Sequence, residues 1–298
     1  MNAARPHADK TPCGGALPAV VPCGAMETAV DLDAYFKRIG YSGSQAATLD
    51  TLKALHFRHT QTIAFENLNP LLGWPVNLDP ASLQEKLVHG GRGGYCYEQN
   101  ILFRHVLTAM GFKTTGLAAR VIWDLPDEVV LPRTHMLMRV EIEGQPYIAD
   151  VGFGGLTLTA PLELRTDIGQ QTPHEPFRLM TAGEEFVLQV RIGDAWNPLY
   201  RFTLQEQLMA DYEMANWFVS THPRSRFVNE LIAARPLPDR RFTLVNNAFA
   251  VHHLDGMTER RMLATALELR DVLEGPLGLN LPAVAELDVV LGRLISCR

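Results

Sequence analysis

The first third of the chain has apolar residues at helical spacing. Over 32–39 they recur every three or four positions, and Gly40 is placed to end the resulting helix. The same spacing predicts three further helices, which begin at Thr48, Pro80 and Cys96. The helix after Cys96 is apolar on more than one face, so we expect it to be buried in a helical bundle. The segment 61–74 is apolar without a period and is interpreted as a packed loop.

From residue 114 the pattern changes to short runs rich in β-branched and aromatic residues, separated by turns. Six of these runs are predicted to be strands: 114–122, 135–142, 145–151, 177–180, 186–192 and 199–202. Short strands joined by short turns favour a small antiparallel barrel or sandwich.

The last third mixes the two patterns. A helix is predicted through Met214 and Trp217, and later elements are two strands and two helices, at 242–245, 249–253, 267–273 and 284–294. The architecture is therefore a helical bundle, a β domain and an α/β tail. The predicted boundaries are 1–26 for a disordered leader, 27–111 for the bundle, 112–207 for the β domain and 208–298 for the α/β part.

Charge and composition exclude several classes of partner. The net charge is −6 and no run of lysine and arginine exceeds two residues, which argues against binding to nucleic acid or to an anionic membrane. No apolar run approaches the roughly 20 residues that span a bilayer. Residues 1–25 contain four prolines, three glycines and six alanines without a period, which is why we expect a disordered leader.

The four cysteines point to a reducing compartment. Cys13 and Cys23 lie in the leader, Cys297 is next to last, and Cys96 alone lies inside the predicted folded body. They form neither a disulfide framework nor a zinc spacing, so we expect a cytoplasmic protein without a metal. A single interior cysteine with histidines elsewhere is typical of a candidate nucleophile.

The stretch 90–100 places Cys96 directly after a glycine-rich turn and at the start of a helix. A helix N-terminus favours a thiolate, and its free N–H groups can also hold an oxyanion. Glycines permit a positive φ and keep side chains away from the sulfur. A phosphate loop is disfavoured because Tyr95 and Cys96 stand where that motif has Lys-Ser/Thr. A buried inert cysteine stays open at this point.

A predicted hairpin supplies partners for the cysteine. If Glu143-Gly144 is a two-residue loop, Ile142 pairs with Gln145, and His135 and Asp150 become diagonal neighbours on one face. The opposite face is almost entirely apolar and is expected to form the β core, which would turn His135 and Asp150 toward the bundle. A nucleophilic thiol needs such a base and such a carboxylate. Taken separately, His135 also fits a histidine on an edge strand, and Asp150 fits a cap at the end of a strand. A one-residue bulge in the hairpin would place the two residues on opposite faces.

Five segments together resemble the arylamine N-acetyltransferase family. Residues 92–100 resemble its Arg-Gly-Gly-x-Cys-x-Glu-x-Asn signature. The others are Phe65-Glu66-Asn67-Leu68, Thr134-His135, Asp150-Val151-Gly152-Phe153-Gly154 and Ser220-Thr221-His222-Pro223-x-Ser225-x-Phe227. The resemblance covers about Asp31 to the C-terminus in the right order. It departs at the leader and at Ala64, where the family commonly has proline.

The resemblance implies an α+β, multidomain fold with an N-terminal helical bundle, a central antiparallel β-barrel and a C-terminal α/β lid with an inter-domain helix. It implies a papain/transglutaminase-like core of Cys96, His135 and Asp150. The implied reaction is ping-pong transfer of acetyl from the co-substrate acetyl-CoA, through S-acetyl-cysteine, to the nitrogen of an arylamine or arylhydrazine. No bound prosthetic group is expected, and a homo-oligomer stays open.

Further residues around the proposed triad are assigned supporting roles, and most of them also have a purely structural interpretation. Three aromatic residues are candidates for the walls of an aromatic substrate site: Phe65, Tyr97 and Phe153. The alternative is that they are ordinary core residues. Five residues are candidates for contacts with CoA: Gly152, Gly154, Thr221, His222 and Ser225. The alternative is that the two glycines only shape turns and that the other three lie in a loop that links two domains. Scaffold residues under the active-site turn are Arg92, Glu66, Glu98 and Asn100. His222, His252 and His253 lack companions at ligand spacing, so no metal site is predicted.

Two other functions fit the same residues. A cysteine hydrolase or a transglutaminase-like acyl transferase would use the same triad, because the triad does not determine the acyl donor. A binding protein without catalysis is the third reading, and it predicts a Cys96 no more reactive than a free thiol.

Overall fold

The computed structural model describes residues 30–126 and 129–296. The leader expected at 1–26 therefore lies outside the described residues, as do Cys13, Cys23 and Cys297. No helix in the described part of the chain is long and apolar enough to cross a membrane.

The N-terminal helices follow the apolar periodicity of the sequence. They are α1 (Leu32–Ile39), α2 (Leu49–Thr62), α3 (Leu68–Leu71), α4 (Pro80–Leu83) and α5 (Cys96–Ala109), with a π-helical segment at Gln84–His89 and a short strand β1 (Phe65–Glu66). Asp31 and Thr48 cap α1 and α2 by accepting backbone N–H groups, and Gly40 ends α1 with a φ of 63°. The prediction of a loop over 61–74 is wrong, because that segment holds the end of α2, β1 and α3.

The predicted antiparallel barrel is confirmed as a seven-stranded, barrel-like sheet. Its strands are β2 (Lys113–Val121), β3 (His135–Ile142), β4 (Gln145–Ala149), β5 (Leu162–Glu163), β6 (Phe177–Ala182), β7 (Glu185–Ile192) and β8 (Ala195–Phe202). Their spatial order is β5-β4-β3-β2-β8-β7-β6. The two-residue Leu162–Glu163 strand was not predicted.

A second sheet joins the N-terminal helical part to the C-terminal part. The C-terminal elements are α6 (Met209–Thr221), α7 (Arg226–Asn229), β9 (Ile232–Leu237), β10 (Arg240–Val245), β11 (Ala248–His253), β12 (Thr258–Met262), α8 (Ala266–Glu274) and α9 (Ala285–Ser296). The sheet runs β1-β9-β10-β11-β12, and Phe65 pairs with Ala234. The strand before the cysteine turn is thus held by the C-terminal part.

The β3–β4 hairpin has the predicted register. Ile142 pairs with Gln145 and Met138 with Ala149, without a bulge. Glu143 and Gly144 both have positive φ, at 50° and 82°, as a two-residue turn that matches the strand twist requires.

The predicted orientation of this hairpin is wrong. Met136 and Met138 belong to the apolar cluster that includes Phe103 of α5, so their face packs on the helices. Leu137 and Ile148, on the face of His135 and Asp150, belong to the barrel cluster. Both faces are apolar because helices cover one and the barrel interior the other. His135 and Asp150 lie at the strand ends on the barrel side, and α5 brings Cys96 to them.

Candidate active site

Cys96 is the first residue of α5 and is 3% exposed. Its Sγ lies 3.6 Å from the carbonyl oxygen of Thr134, the residue before His135. Of the four glycines in the preceding turn, only Gly91 has a positive φ. A Cβ at Gly93 would clash with the Ala64 carbonyl oxygen, so close packing is the main reason for glycine in this turn.

Charged side chains support the turn from below. Arg92 donates two hydrogen bonds to Glu66 Oε1, at 3.0 and 2.7 Å, which confirms the predicted pair. Lys86 Nζ donates to Glu98 Oε1 at 2.6 Å, and Glu98 Oε2 accepts the Tyr95 N–H at 3.1 Å. Burial opposes ionisation of Glu66, but the charges of Lys86 and Arg92 prevail and lower its pKa. The turn therefore rests on paired charges.

Asp150 accepts hydrogen bonds from four groups. His135 Nε2 lies 2.7 Å from Oδ2, and the Tyr200 hydroxyl donates to the same oxygen at 3.0 Å. Asn100 Nδ2, at 3.0 Å, and the Gly152 N–H, at 2.9 Å, donate to Oδ1. The predicted contact between His135 and Asp150 is confirmed, and the carboxylate is held rigidly by donors from several elements.

Asn100 links α5 to the hairpin. Besides Asp150, its Nδ2 donates to the Met136 carbonyl at 2.8 Å, and its Oδ1 accepts the Val151 N–H at 3.0 Å. One side chain on the helix of the nucleophile thus bonds β3, which carries the base, and the segment directly after β4, which carries the carboxylate. This fits the predicted supporting position.

The electrostatics favour a charged His135. Burial disfavours the imidazolium, but the negative charge and hydrogen bond of Asp150 prevail, and with a hydrogen bond to Cys96 they raise the pKa of His135 to about 10. Burial likewise opposes ionisation of Asp150, while the charge of His135 and the surrounding donors lower the pKa of that carboxyl. Because Nε2 bonds Asp150, Nδ1 is the ring nitrogen left for the sulfur.

Two contributors to the site were missed from the sequence. Tyr200 comes from β8, and its ring centroid lies 4.9 Å from that of His135. His56 of α2 is fully buried and accepts the Asp150 N–H on Nε2 at 3.3 Å. Burial lowers the pKa of His56 to about 3, so it is neutral. Both act across long sequence separations, and no local motif marks either.

Of the three aromatic residues predicted as substrate walls, Phe153 contacts the triad directly. Phe153 packs edge-on against His135, with centroids 5.2 Å apart and planes at 81°. Phe65 lies against Phe227, at 5.8 Å. Tyr97 is almost fully buried and borders a cavity of about 320 Å³, whose lining also includes Thr134 and Phe218.

The five residues predicted to contact CoA have packing or capping contacts of their own. A Cβ on Gly152 would lie 2.8 Å from Cys96 Cα, and Gly154 has a φ of 92°. Thr221 donates to the Trp217 carbonyl at 2.6 Å, and His222 Nδ1 accepts the Arg224 N–H. The buried Ser225 hydroxyl donates to the Val219 carbonyl and accepts the Phe227 N–H.

His252 and His253 are engaged with oxygen atoms. His252 bonds the hydroxyls of Thr243 and Thr258, and His253 Nε2 lies 2.8 Å from Glu259 Oε1. Within residues 30–126 and 129–296, no three His, Cys, Asp or Glu side chains form a group able to hold a metal ion.

Comparison with known proteins agrees with this geometry. A family model described as N-acetyltransferase matches residues 48–286. The arylamine N-acetyltransferase of Mycobacterium tuberculosis is 46% identical over 262 residues, covering 87% of this chain and 92% of the relative. That of Escherichia coli is 44% identical over 250 residues, covering 84% and 89%.

A solved structure is equally similar. The arylamine N-acetyltransferase of Mycobacterium marinum in complex with CoA superposes with a TM-score of 0.86 at 42% identity, over 89% of this chain and 99% of that one. From the extent of these matches, this chain belongs to the arylamine N-acetyltransferase family.

Proposed function

We propose that this enzyme transfers acetyl from acetyl-CoA to an aromatic amine or hydrazine in two half-reactions, through S-acetyl-Cys96. The observation that carries the proposal is the bonded pair His135 and Asp150 beside the sulfur of Cys96, which lies 3.6 Å from the carbonyl oxygen of Thr134, the residue before His135. All three residues of the proposed triad are almost fully buried. Family membership supports acetyl-CoA as the donor, and so does the relative whose structure was solved in complex with CoA.

In the first half-reaction the thiol proton resides on His135, because Asp150 stabilises the imidazolium. The Cys96 thiolate attacks the acetyl carbon, and the N–H groups of the first turn of α5 are placed to bind the developing oxyanion. The carbon–sulfur bond to CoA breaks, and His135 returns the proton to the departing CoA sulfur. The products are free CoA and S-acetyl-Cys96.

In the second half-reaction the amine nitrogen attacks the acetyl carbon of S-acetyl-Cys96. His135, now neutral, accepts a proton from that nitrogen, and the Cys96 thiolate departs. The imidazolium and thiolate are restored, so no net proton is lost. An arylamine suits this step because its weakly basic nitrogen is unprotonated at neutral pH.

The surrounding residues suit these substrates. Phe153, beside the His135 ring, and Phe65 offer aromatic surfaces, and Tyr97 borders the cavity next to Thr134. Thr221 and His222 are the proposed CoA contacts on the segment after α6, where Ser225 holds the chain in place. Gly152 and Gly154 let the 150–154 loop come close to Cys96 and Phe65.

Intact-mass spectrometry after mixing with acetyl-CoA tests the proposal. We expect a mass increase of one acetyl group that maps to Cys96, is discharged by an arylamine, and is absent in Cys96→Ala. Cleavage of amides without an acetyl adduct would instead indicate a cysteine hydrolase. A Cys96 that alkylates no faster than a free thiol would indicate a binding protein.

A further inference from the structure

A line of buried polar side chains lies behind the cysteine turn and has no part in the mechanism above. It consists of Tyr35 of α1, His59 of α2 and Gln99 of α5, each of them 0% exposed. The Tyr35 hydroxyl lies 2.8 Å from His59 Nδ1, and His59 Nε2 lies 2.7 Å from Gln99 Oε1. Burying a polar group costs free energy unless it is hydrogen-bonded, so each side chain in this line depends on its neighbour for a partner.

Three backbone carbonyls determine which way Gln99 points. Its Nε2 lies 2.9 Å from the Ala64 oxygen, 3.1 Å from that of Gly94 and 3.2 Å from that of Ile63. Carbonyl oxygens only accept hydrogen bonds, so the amide nitrogen must face them and the amide oxygen must face His59.

The orientation of Gln99 then determines the tautomer of His59. Oε1 of Gln99 is an acceptor, so His59 carries its proton on Nε2, and Nδ1 accepts from the Tyr35 hydroxyl. Burial lowers the pKa of His59 to about 4, which keeps the ring neutral. Every hydrogen bond in the line therefore points from α1 toward the cysteine turn.

The line ends on the peptide between Gly94 and Tyr95, directly before Cys96. Gln99 bonds the oxygen of this peptide, and Glu98 accepts its N–H at 3.1 Å. Two side chains from the first turns of α5 thus hold both polar groups of the peptide that leads into the helix. Gln99 also bonds the Ala64 carbonyl, next to Phe65, so it joins the cysteine turn to β1.

We propose that Gln99, with His59 and Tyr35 behind it, is a positioning residue for the nucleophile. By fixing the peptide at 94–95 it sets the direction of the first-turn N–H groups and the place of the sulfur relative to His135. The inference rests on the proposed function for its catalytic meaning, but it concerns the reactivity of Cys96 itself. A displacement of about 1 Å at a reacting atom can cost on the order of a hundred-fold in rate.

The first experiment measures alkylation of Cys96 by iodoacetamide against pH, read by peptide mass spectrometry, together with the burst of CoA released on mixing with acetyl-CoA. In Gln99→Leu and His59→Leu we expect both rates to fall about ten-fold or more. His59→Gln keeps a donor for Gln99 and should recover most of the loss. Tyr35→Phe removes only the far end and should have the mildest effect.

Gln99→Glu gives a signature that loss of packing cannot. A protonated glutamic acid can donate to one carbonyl and accept from His59, whereas the ionised form would direct a negative charge at three carbonyl oxygens. The reactivity of Cys96 should therefore fall as pH rises through the pKa of the new carboxyl. The wild-type enzyme lacks this group, so its profile should lack that fall.

His174 offers the matched control. It is also a buried histidine with both ring nitrogens bonded, to Thr159 Oγ1 and the Leu237 carbonyl. His174→Leu should lower the unfolding temperature yet leave Cys96 alkylation unchanged. The proposal is overturned if Gln99→Leu and His59→Leu behave like this control, or if Gln99→Glu has the wild-type pH profile. Normal wild-type alkylation without acetylation would refute the proposed function alone.

Discussion

The surroundings of Asp150 and the segment 221–225 both resemble family motifs, but they use their polar groups differently. Asp150 accepts from His135, Tyr200, Asn100 and the Gly152 N–H, so the helices and the barrel converge on one carboxylate. In 221–225 the hydroxyl donors bond carbonyls only four to six residues earlier in the chain, in α6.

This difference distinguishes side chains that hold a reacting group from side chains that stabilise local structure. Convergence of distant donors on a buried charge is costly to build and serves to hold a reacting group. Bonds between near neighbours cap helices and shape loops. Substitutions around Asp150 should therefore alter catalysis, and substitution of Ser225, whose hydroxyl makes only local bonds, should alter stability first.

The largest effect is expected from Asp150→Asn. An amide cannot balance the His135 imidazolium, so the pKa of His135 should fall and the burst of CoA should slow by about a thousand-fold or more. Stopped-flow mixing with acetyl-CoA measures the burst, and NMR titration of the imidazole measures the pKa. A burst rate only a few-fold lower, with the pKa of His135 unchanged, would show that Asp150 has no part in the reaction. The two regions would then not differ in the way proposed.

The second prediction concerns His56, which accepts the Asp150 N–H. Its pKa is about 3 in the folded protein, against about 6.5 when unfolded, so the unfolded chain takes up a proton first and stability is lost as pH falls below about 6.5. His56→Leu removes this group, so its unfolding free energy should fall by roughly 2 kcal/mol less between pH 6 and 4 than that of the wild type. Denaturant titrations at both pH values decide this. An unchanged pH dependence would mean that His56 is charged or exposed.

Much of the fold followed from local patterns. The β3–β4 register came from the Glu143-Gly144 turn, and the helices from apolar spacing. The face that packs on α5 was predicted wrongly, because apolar residues lie on both faces, Met136 on one and Leu137 on the other, and the pattern does not show which face the helices cover. Strands β9 and β12 were not predicted, because their sequences, Ile-Ala-Ala-Arg-Pro-Leu and Thr-Glu-Arg-Arg-Met, contain no apolar run.

The candidate site divides in the same way. Cys96, His135 and Asp150 lie in recognisable local motifs, and the hairpin register alone is enough to predict that His135 and Asp150 are neighbours. Tyr200 and His56 were not found, because their contacts depend on how β8 and α2 pack against the hairpin. Burial and long-range pairing decide these contacts, and neither is readable from a single sequence.

The third prediction removes one donor from Asp150. Tyr200→Phe keeps the ring beside His135 but loses the hydroxyl bond, so kcat/KM should fall about ten-fold, as for a bond to a charged group. With one donor fewer, the pKa of Asp150 rises, and the acidic limb of the pH profile should move to higher pH. A profile superimposable on the wild type would show that three donors suffice and that the convergence is partly redundant.

The smallest effect is expected in the other region, from Ser225→Ala. The Ser225 hydroxyl accepts the Phe227 N–H at the start of α7 and donates to the Val219 carbonyl, so its loss should cost about 1 kcal/mol of unfolding free energy. Because both bonds are internal, kcat and the KM for acetyl-CoA should stay within about two-fold of the wild type. Thr221→Ala, on the exposed end of α6, is the matched comparison, since Thr221 is a proposed CoA contact and its loss should raise that KM. A rise in KM for Ser225→Ala with stability intact would place this hydroxyl on CoA and remove the distinction between local and convergent bonding.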